Sequence, residues 1–363
     1  MSEREITAGL SISLSGRFHF HGQQALNGLL LWQSLVNAEG GIQVGAANRR
    51  HVRLICYDDR SLARCARDNV FRLLRDDKVD ILFGPYSSGL TMAVSEIAEE
   101  YRMVLWNYGG SSDEIFSRGF DHVVGIASPA SDYLRALPHR LSKKPPVSSR
   151  ISIFYSRNGS FASQVARGVL ESAQLLGHSV ELTPIIPSLE ESHWAIPIMH
   201  ATKPEIVVLA GTFQQELTLM RSRQLWPSTV DTVAAVAAGV SEFSLKLGTL
   251  ADGTIGPSQW EPGVTFSETV QPGSDRFTRE FRSRFGGPLD YVAAGSFAAG
   301  LIVAECIRRA ASLDNPELRT IAAALDSTTF YGRFQIEPKT GKQVAHRMLL
   351  VRWQQGRKIV LSN

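Results

Sequence analysis

Apolar and polar positions alternate along this chain in two rhythms. Short β-branched runs predict strands at ITAGLSISL (6–14), VRLICY (52–57), VDILFG (79–84) and RMVLWNYGG (102–110). Between them, apolar residues at three-to-four spacing predict helices over GQQALNGLLLWQSLVNAEGG (22–41, closed by a glycine pair), SLARCARDNVFRLLRDD (61–77) and a segment opening near Ser87. A Pro- and Ser-rich break, SKKPPVSSR (142–150), precedes a second series. There ISIFY, HSVELTPII, EIVVLAG and DTVAAVAAG read as strands, with helices in NGSFASQVARGVLESAQLLG, around Ile196 and in QQELTLMRSRQLW. Strand–helix alternation at these lengths predicts an α/β fold of two open parallel-sheet lobes with helices on both faces. Later, YVAAGSFAAGLIVAECIRRAA (291–311) predicts an apolar helix, and RFQIEPKTGK with HRMLLVRW predicts a β-hairpin turned by Pro338 to Gly341.

Composition narrows the function. A chain of 363 residues exceeds the size of one hydrophobic core, which agrees with two lobes. Net charge is only +3, from 38 basic and 35 acidic residues without a basic run, so nucleic acid is not expected as a partner. No 18-residue uninterrupted apolar stretch is present, and Glu305 and Arg308 interrupt the late helix, so no membrane span is expected. The start, MSEREITAGLSISLSG, enters a strand without a charged-then-apolar leader; an exported protein would have lost its leader before this numbering begins. Cys56, Cys65 and Cys306 cannot all pair and lack metal spacing, so free thiols are expected.

Open parallel sheets bind ligands beyond the C-terminal ends of their strands. Two neighbouring strand ends here carry small residues and hydroxyls. In GPYSSGLT, Gly84 permits a turn and Ser87 or Ser88 can cap the next helix; in NYGGSSDE, Ser111 and Glu114 stand at capping-box spacing behind Gly109 and Gly110. Free N–H groups at such helix starts suit a carboxylate, although a plain N-cap without a ligand fits each stretch alone. Catalytic patterns are incomplete. Ser87 has Pro85 where a nucleophile elbow needs glycine, and neither phosphate-binding glycine pattern, G-x-x-x-x-G-K-[ST] or G-x-G-x-x-G, occurs at the positions that need it. His19 and His21 lack a recognisable third metal ligand, so neither a metal nor a cofactor is expected.

Taken in order, LSGRFHFHGQQALNGLLLWQSLVNAEGGI, YDDRS, ILFGPYSSGLT, NYGGSSDEIFSRGFDHVVGI and LADGTIG resemble the type I periplasmic solute-binding proteins related to Leu/Ile/Val-binding protein, receptors of branched-chain amino acid type ABC transporters. The resemblance covers nearly the whole chain. It implies two lobes joined by three crossovers, residues 1–125 plus 256–329 and residues 126–255 plus 330–363, which close on a ligand by hinge motion. It implies ligand contacts from Ser88, Ser111 and the backbone of Gly109 and Gly110, with Tyr86 and Ser87 beside them and with Phe18 and His21 in a loop over the pocket. From the other lobe it implies Asn158, Ser160, Phe161 and Phe213, the last in the loop after EIVVLAG. Trp260 and Tyr291 are further aromatic candidates, for which a structural role fits equally well.

Two departures from the family pattern bear on the ligand. Where amino-acid receptors place an acid to receive the ammonium group, this chain has Ala237, Ala238 and Gly239, with Glu242 the nearest carboxylate. A buried unpaired ammonium is costly, so a carboxylate without an α-amino group, and with an aromatic ring to match the aromatic candidates, is expected. The disulfide of some relatives would fall at Ser61 and Ser87, so it is absent. The expected protein is therefore a periplasmic, non-enzymatic receptor that delivers a small organic acid to a membrane permease. An amino-acid receptor and a cytoplasmic ligand sensor of the same fold are the alternatives; hydrolysis through Ser87 is disfavoured by the incomplete elbow.

Overall fold

The computed structural model describes residues 5–46, 48–141, 148–185 and 194–361. Of the Pro- and Ser-rich break, residues 142–147 lie outside this set, as does the end of the HSVELTPII segment. The chain divides into two compact units, Met1–Ser128 with Gln259–Arg347, and Pro129–Ser258 with Met348–Asn363, so it passes from one to the other three times.

In the first unit, strands β1 (Ile6–Ile12), β2 (Ile42–Val44), β3 (Asn48–Arg50), β4 (Val52–Asp58), β5 (Ile81–Phe83), β6 (Leu105–Asn107) and β7 (Val123–Gly125) follow one another. Five of them form a parallel sheet in the order β4-β1-β5-β6-β7, while β2 and β3 make a small antiparallel pair. The residues of β1, β5, β6 and β7 are buried, as a parallel sheet covered by helices on both faces requires. The helix Tyr291–Ala310 packs in the same core as the helix His19–Ala38, and Ser296 Oγ donates to the Ala25 carbonyl at 2.9 Å. Its length and hydropathy would suffice for a membrane span, yet 83% of that window is buried within the fold.

The second unit contains β8 (Arg150–Tyr155), β9 (Ser179–Pro184), β10 (Ile206–Ala210), β11 (Thr232–Ala235) and β12 (Ile255–Ser258), all parallel. After the first-unit antiparallel pair β13 (Ser327–Thr329) and β14 (Gly332–Phe334), the chain returns as β15 (Leu349–Gln354) and β16 (Arg357–Val360). These last two strands extend the second sheet antiparallel, in the order β16-β15-β12-β11-β10-β8-β9. This sheet is therefore mixed rather than wholly parallel.

The expected hairpin between RFQIEPKTGK and HRMLLVRW does not form. A tight turn does exist at Pro338–Gly341, closed by Gly341 N–H on the Glu337 carbonyl, and one bridge joins Ile336 to Gln343. Beyond that bridge the partners differ: β14 pairs with β13 and β15 with β12. The same packing moves residues 330–347 out of the expected second lobe. Phe330, Tyr331, Phe334 and Ile336 belong to the first unit's core, where the Phe330 ring stacks on Phe277 at 4.5 Å.

Candidate functional site

At the end of β5 the chain turns through Gly84-Pro85 into the helix Ser88–Glu100. Ser87 is the N-cap, with φ +96° and ψ 144°, and its Oγ accepts from Leu90 N–H at 3.3 Å. Its carbonyl takes Thr91 N–H, leaving the amides of Ser88 and Gly89 at the head of the helix. Ser88 Oγ reaches the next strand end, accepting from Ser111 N–H at 3.2 Å and Ser112 N–H at 3.0 Å. With both lone pairs engaged, this hydroxyl retains its proton for donation. The two loops also meet through Ser87 N–H on the Gly109 carbonyl at 3.1 Å, an approach close enough that a Cβ on Gly109 would lie 2.7 Å from the Tyr86 Cα. Asn107 locks the second loop, its amide donating to Gly110 O and accepting from Gly110 N at 2.7 Å each.

An aromatic group borders these loops. The His21 ring stacks on Tyr86 at 4.5 Å and 14°, and Phe18 meets Tyr86 edge-on at 5.8 Å. Burial drives the His21 pKa down to about 4 against the attraction of Asp290, with His19 lowering it further, so the ring is neutral near pH 7. Asp290 is the N-cap residue of the helix that Tyr291 opens. Below the strand ends, burial raises the pKa of Asp59 although Ser13 Oγ (2.5 Å), Ser61 N–H (2.8 Å) and Ser11 Oγ (3.4 Å) all donate to it.

The second unit repeats the strand–turn–helix arrangement with other residues. After β8, Gly159 is the N-cap of the helix Ser160–Leu175, with φ +80° and ψ 174°. Asn158 N–H donates to Ser156 Oγ at 3.2 Å, and Phe161 packs edge-on against Tyr133 at 5.0 Å. After β10, Thr212 and Gln215 form a reciprocal capping box that starts the helix Phe213–Arg221. One residue later, the wholly buried Glu216 accepts Gly211 N–H on Oε1 and Ala237 N–H on Oε2, both at 2.7 Å. Burial pushes its pKa up to about 8, against the opposite pull of the two amides. The turn Val236–Gly239 after β11 is also held by Trp353 Nε1 on the Ala238 carbonyl (2.7 Å) and by Lys358 Nζ on the Gly239 carbonyl (3.1 Å).

The periplasmic binding protein family profile matches residues 5–358. The chain belongs to the periplasmic binding protein family. It is 22% identical over 377 residues to the Leu/Ile/Val-binding protein homolog 7 of Brucella abortus (strain 2308), covering 98% of this chain and 91% of that relative. Among solved structures it is similar to a leucine binding protein, LivK, from Thermotoga maritima MSB8, with TM-score 0.84, 16% identity and 98% of both chains covered. It is also similar to an ABC transporter solute binding protein from R. palustris in complex with benzoate, with TM-score 0.79, 19% identity and coverage of 99% and 96%. In this structure Ser87 serves as a helix cap.

Within this family fold, Ser87, Ser88, Gly109, Gly110 and Ser111 lie together at the first unit's strand ends, with Tyr86, His21 and Phe18 adjoining. Several expectations need correction. His21 sits in the first turn of the helix His19–Ala38, and Phe18 is its N-cap residue, so the two do not share a loop. The cap of the short helix Asp113–Phe116 is Ser112, whose Oγ accepts from Glu114 N–H, because the helix starts one residue later than the Ser111–Glu114 spacing implied. Phe213 begins a helix rather than lying in a loop. Trp260 has 0% exposure and packs edge-on against Phe277 and Phe330 in the first unit's core, a structural aromatic. Tyr291 is half-buried against the same core.

Sequence reading missed Glu216. The sequence does contain its signals: T-x-x-Q fixes the helix start at Thr212, and Glu216 then shares a helical face with Leu217 and Met220, both buried. An acid on the apolar face of a capped helix needs buried donors, which the adjoining turns provide.

Proposed function

We propose that this protein is the substrate-binding component of an ABC transporter, periplasmic in location, that captures a small carboxylate with an aromatic ring and presents it to a membrane permease. The observation that carries the reading is Ser88 Oγ, which accepts from Ser111 N–H and Ser112 N–H and so keeps its own proton, beside the amides of Ser88 and Gly89, for donation to a ligand. Such donors at a helix N-terminus favour negative charge without forming a covalent bond. The Phe18, His21 and Tyr86 rings offer a surface for a planar ligand, and a neutral His21 adds no charge to it. Gly109, Gly110 and Ser111 complete the candidate ligand contacts of the first unit, and Asn158, Ser160, Phe161 and Phe213 are the candidate contacts of the second.

The second unit favours an acid over an amino acid. Both Glu216 oxygens are committed to backbone amides, and the turn after β11 presents Ala237, Ala238 and Gly239. An ammonium group would find no matching anion in that turn. The R. palustris protein in complex with benzoate supports this reading, while the leucine binding protein from Thermotoga maritima supports the amino-acid alternative, for which Glu242 would be the partner.

Calorimetry and thermal-shift titration with benzoate, 4-hydroxybenzoate, leucine and isoleucine test the reading. Benzoate-type acids are expected to stabilise the protein, and Ser88→Ala is expected to weaken their binding at least tenfold, as loss of a charge-assisted hydrogen bond of about 1.5–3 kcal/mol implies. Stabilisation by the amino acids alone would overturn the aromatic-acid assignment.

A further inference from the structure

The turn after β11 is pinned at three successive residues by side chains from three elements. Glu216, on the helix Phe213–Arg221, accepts the Ala237 N–H; Trp353, on β15, donates to the Ala238 carbonyl; Lys358, on β16, donates to the Gly239 carbonyl. A Glu216 carboxyl oxygen stands at an N–H and the Lys358 ammonium at a carbonyl, so each group matches the peptide dipole it touches. Glu216 uses its other oxygen on Gly211, which joins this turn to the one after β10 across 26 residues of sequence. A buried acid is an expensive brace, because an apolar side chain of similar volume often packs at least as favourably. The order that Glu216 imposes on two otherwise separate turns is what such a brace supplies and an apolar residue does not.

We infer that Glu216, Trp353 and Lys358 are positioning residues that pre-form the 236–239 turn as a rigid apolar wall of the ligand site, selecting ligands without an ammonium group at that end. The inference rests on the proposal that these strand ends meet the ligand. It gives the carboxyl-terminal strands a part in recognition: β15 and β16 hold the turn through Trp353 and Lys358. Pre-organisation of this kind improves affinity by removing the ordering cost from the binding step.

The test compares Glu216→Gln, Trp353→Phe and Lys358→Met with Leu217→Ala, which opens the core beside Glu216 but leaves the three bonds in place. Affinities for benzoate and leucine are measured with the full chain well below each variant's Tm, together with amide exchange at Ala237–Gly239. Trp353→Phe, which removes the indole N–H together with part of the buried ring, and Glu216→Gln are expected to weaken the bound probe at least tenfold and to speed exchange at the turn at least tenfold. Leu217→Ala is expected to lower Tm while leaving both within twofold. Folded clamp variants that bind as wild type, or lose no more than Leu217→Ala, overturn the inference. If the wild type binds neither probe, the proposed ligand class fails and exchange decides the clamp: unaltered exchange in Trp353→Phe and Glu216→Gln overturns it. Trp353→Phe carries the result should Glu216→Gln fail to fold.

Discussion

Ser87 and Gly159 occupy equivalent places in the two units, each being the N-cap residue between a parallel strand and the helix that follows it. Both have positive φ with extended ψ, +96° and 144° for Ser87 and +80° and 174° for Gly159. Glycine enters this region freely, whereas a residue with a Cβ is strained there by about 1–3 kcal/mol. The first unit accepts that strain and gains a hydroxyl that caps Leu90. The second takes the relaxed backbone and has no side-chain cap at Gly159. The clamps differ in the same way. Ser88 accepts two amides of the neighbouring loop on one hydroxyl oxygen, while Glu216 accepts one backbone amide on each of its two oxygens and so ties two turns together. Under the proposed function, the first unit's strand ends bind through polar groups and the second unit's present a shape.

The largest effect that would sharpen this contrast is a split pH response. Both buried first-unit histidines, His21 and His346, have pKa values lowered by burial to about 4. Neither His346 ring nitrogen has a hydrogen-bond partner among the described residues. Stability from neutral imidazoles is present above the unfolded value near 6.5 and lost as pH falls through 4, by at most about 3 kcal/mol for each ring. Glu216 acts with the opposite sign. Its pKa is raised to about 8, so its contribution is present below the unfolded value near 4.5 and lost as pH rises through 8. Urea unfolding across pH 4–8.5 should show an acid limb flattened by His346→Phe and an alkaline limb flattened by Glu216→Gln. Amide exchange should place the first in Met1–Ser128 with Gln259–Arg347 and the second in the other unit. If either substitution flattens the opposite limb, the contrast fails.

A smaller effect is expected from exchanging the caps. A Cβ on Gly159 meets no atom within 4 Å, so Gly159→Ala tests backbone conformation without a clash and should cost about 1–3 kcal/mol in denaturant unfolding. An unchanged midpoint would show that the second unit is no more relaxed than the first. The smallest effect belongs to Ser87→Gly, which relieves strain but loses a cap for which glycine substitution costs only a few tenths of a kcal/mol. A net gain of about 1 kcal/mol is expected by the same measurement, and a loss would mean that the Ser87 hydroxyl matters more than its backbone strain.

Local features of the site were legible in the sequence to the extent that their causes are local. GPYSSG and NYGGSS announce turns and caps because Gly, Pro and Ser act within three or four residues, and both segments lie where the strand–helix rhythm placed them. Trp260 was not legible as a core residue. Its neighbours Phe277 and Phe330 lie 17 and 70 positions away, and nothing in their spacing says that the rings meet. The 333–353 hairpin failed for a related reason: its turn is real, yet each strand has a better partner in a different sheet.

The sequence by itself determined the α/β character of both units, because alternating apolar runs of strand and helix length leave few other ways to bury them. It also determined the strand ends as places of turns and hydroxyls. Tertiary structure alone decided which cap hydroxyl reaches across to which loop, that residues 330–347 complete the first unit, and that an acid on a helix closes the turn after a distant strand. The physical reason is range. Helix caps and periodicity act over a few residues, whereas Ser88 to Ser112, Glu216 to Ala237 and Trp353 to Ala238 are hydrogen bonds whose partners become neighbours only when the sheets order their strands.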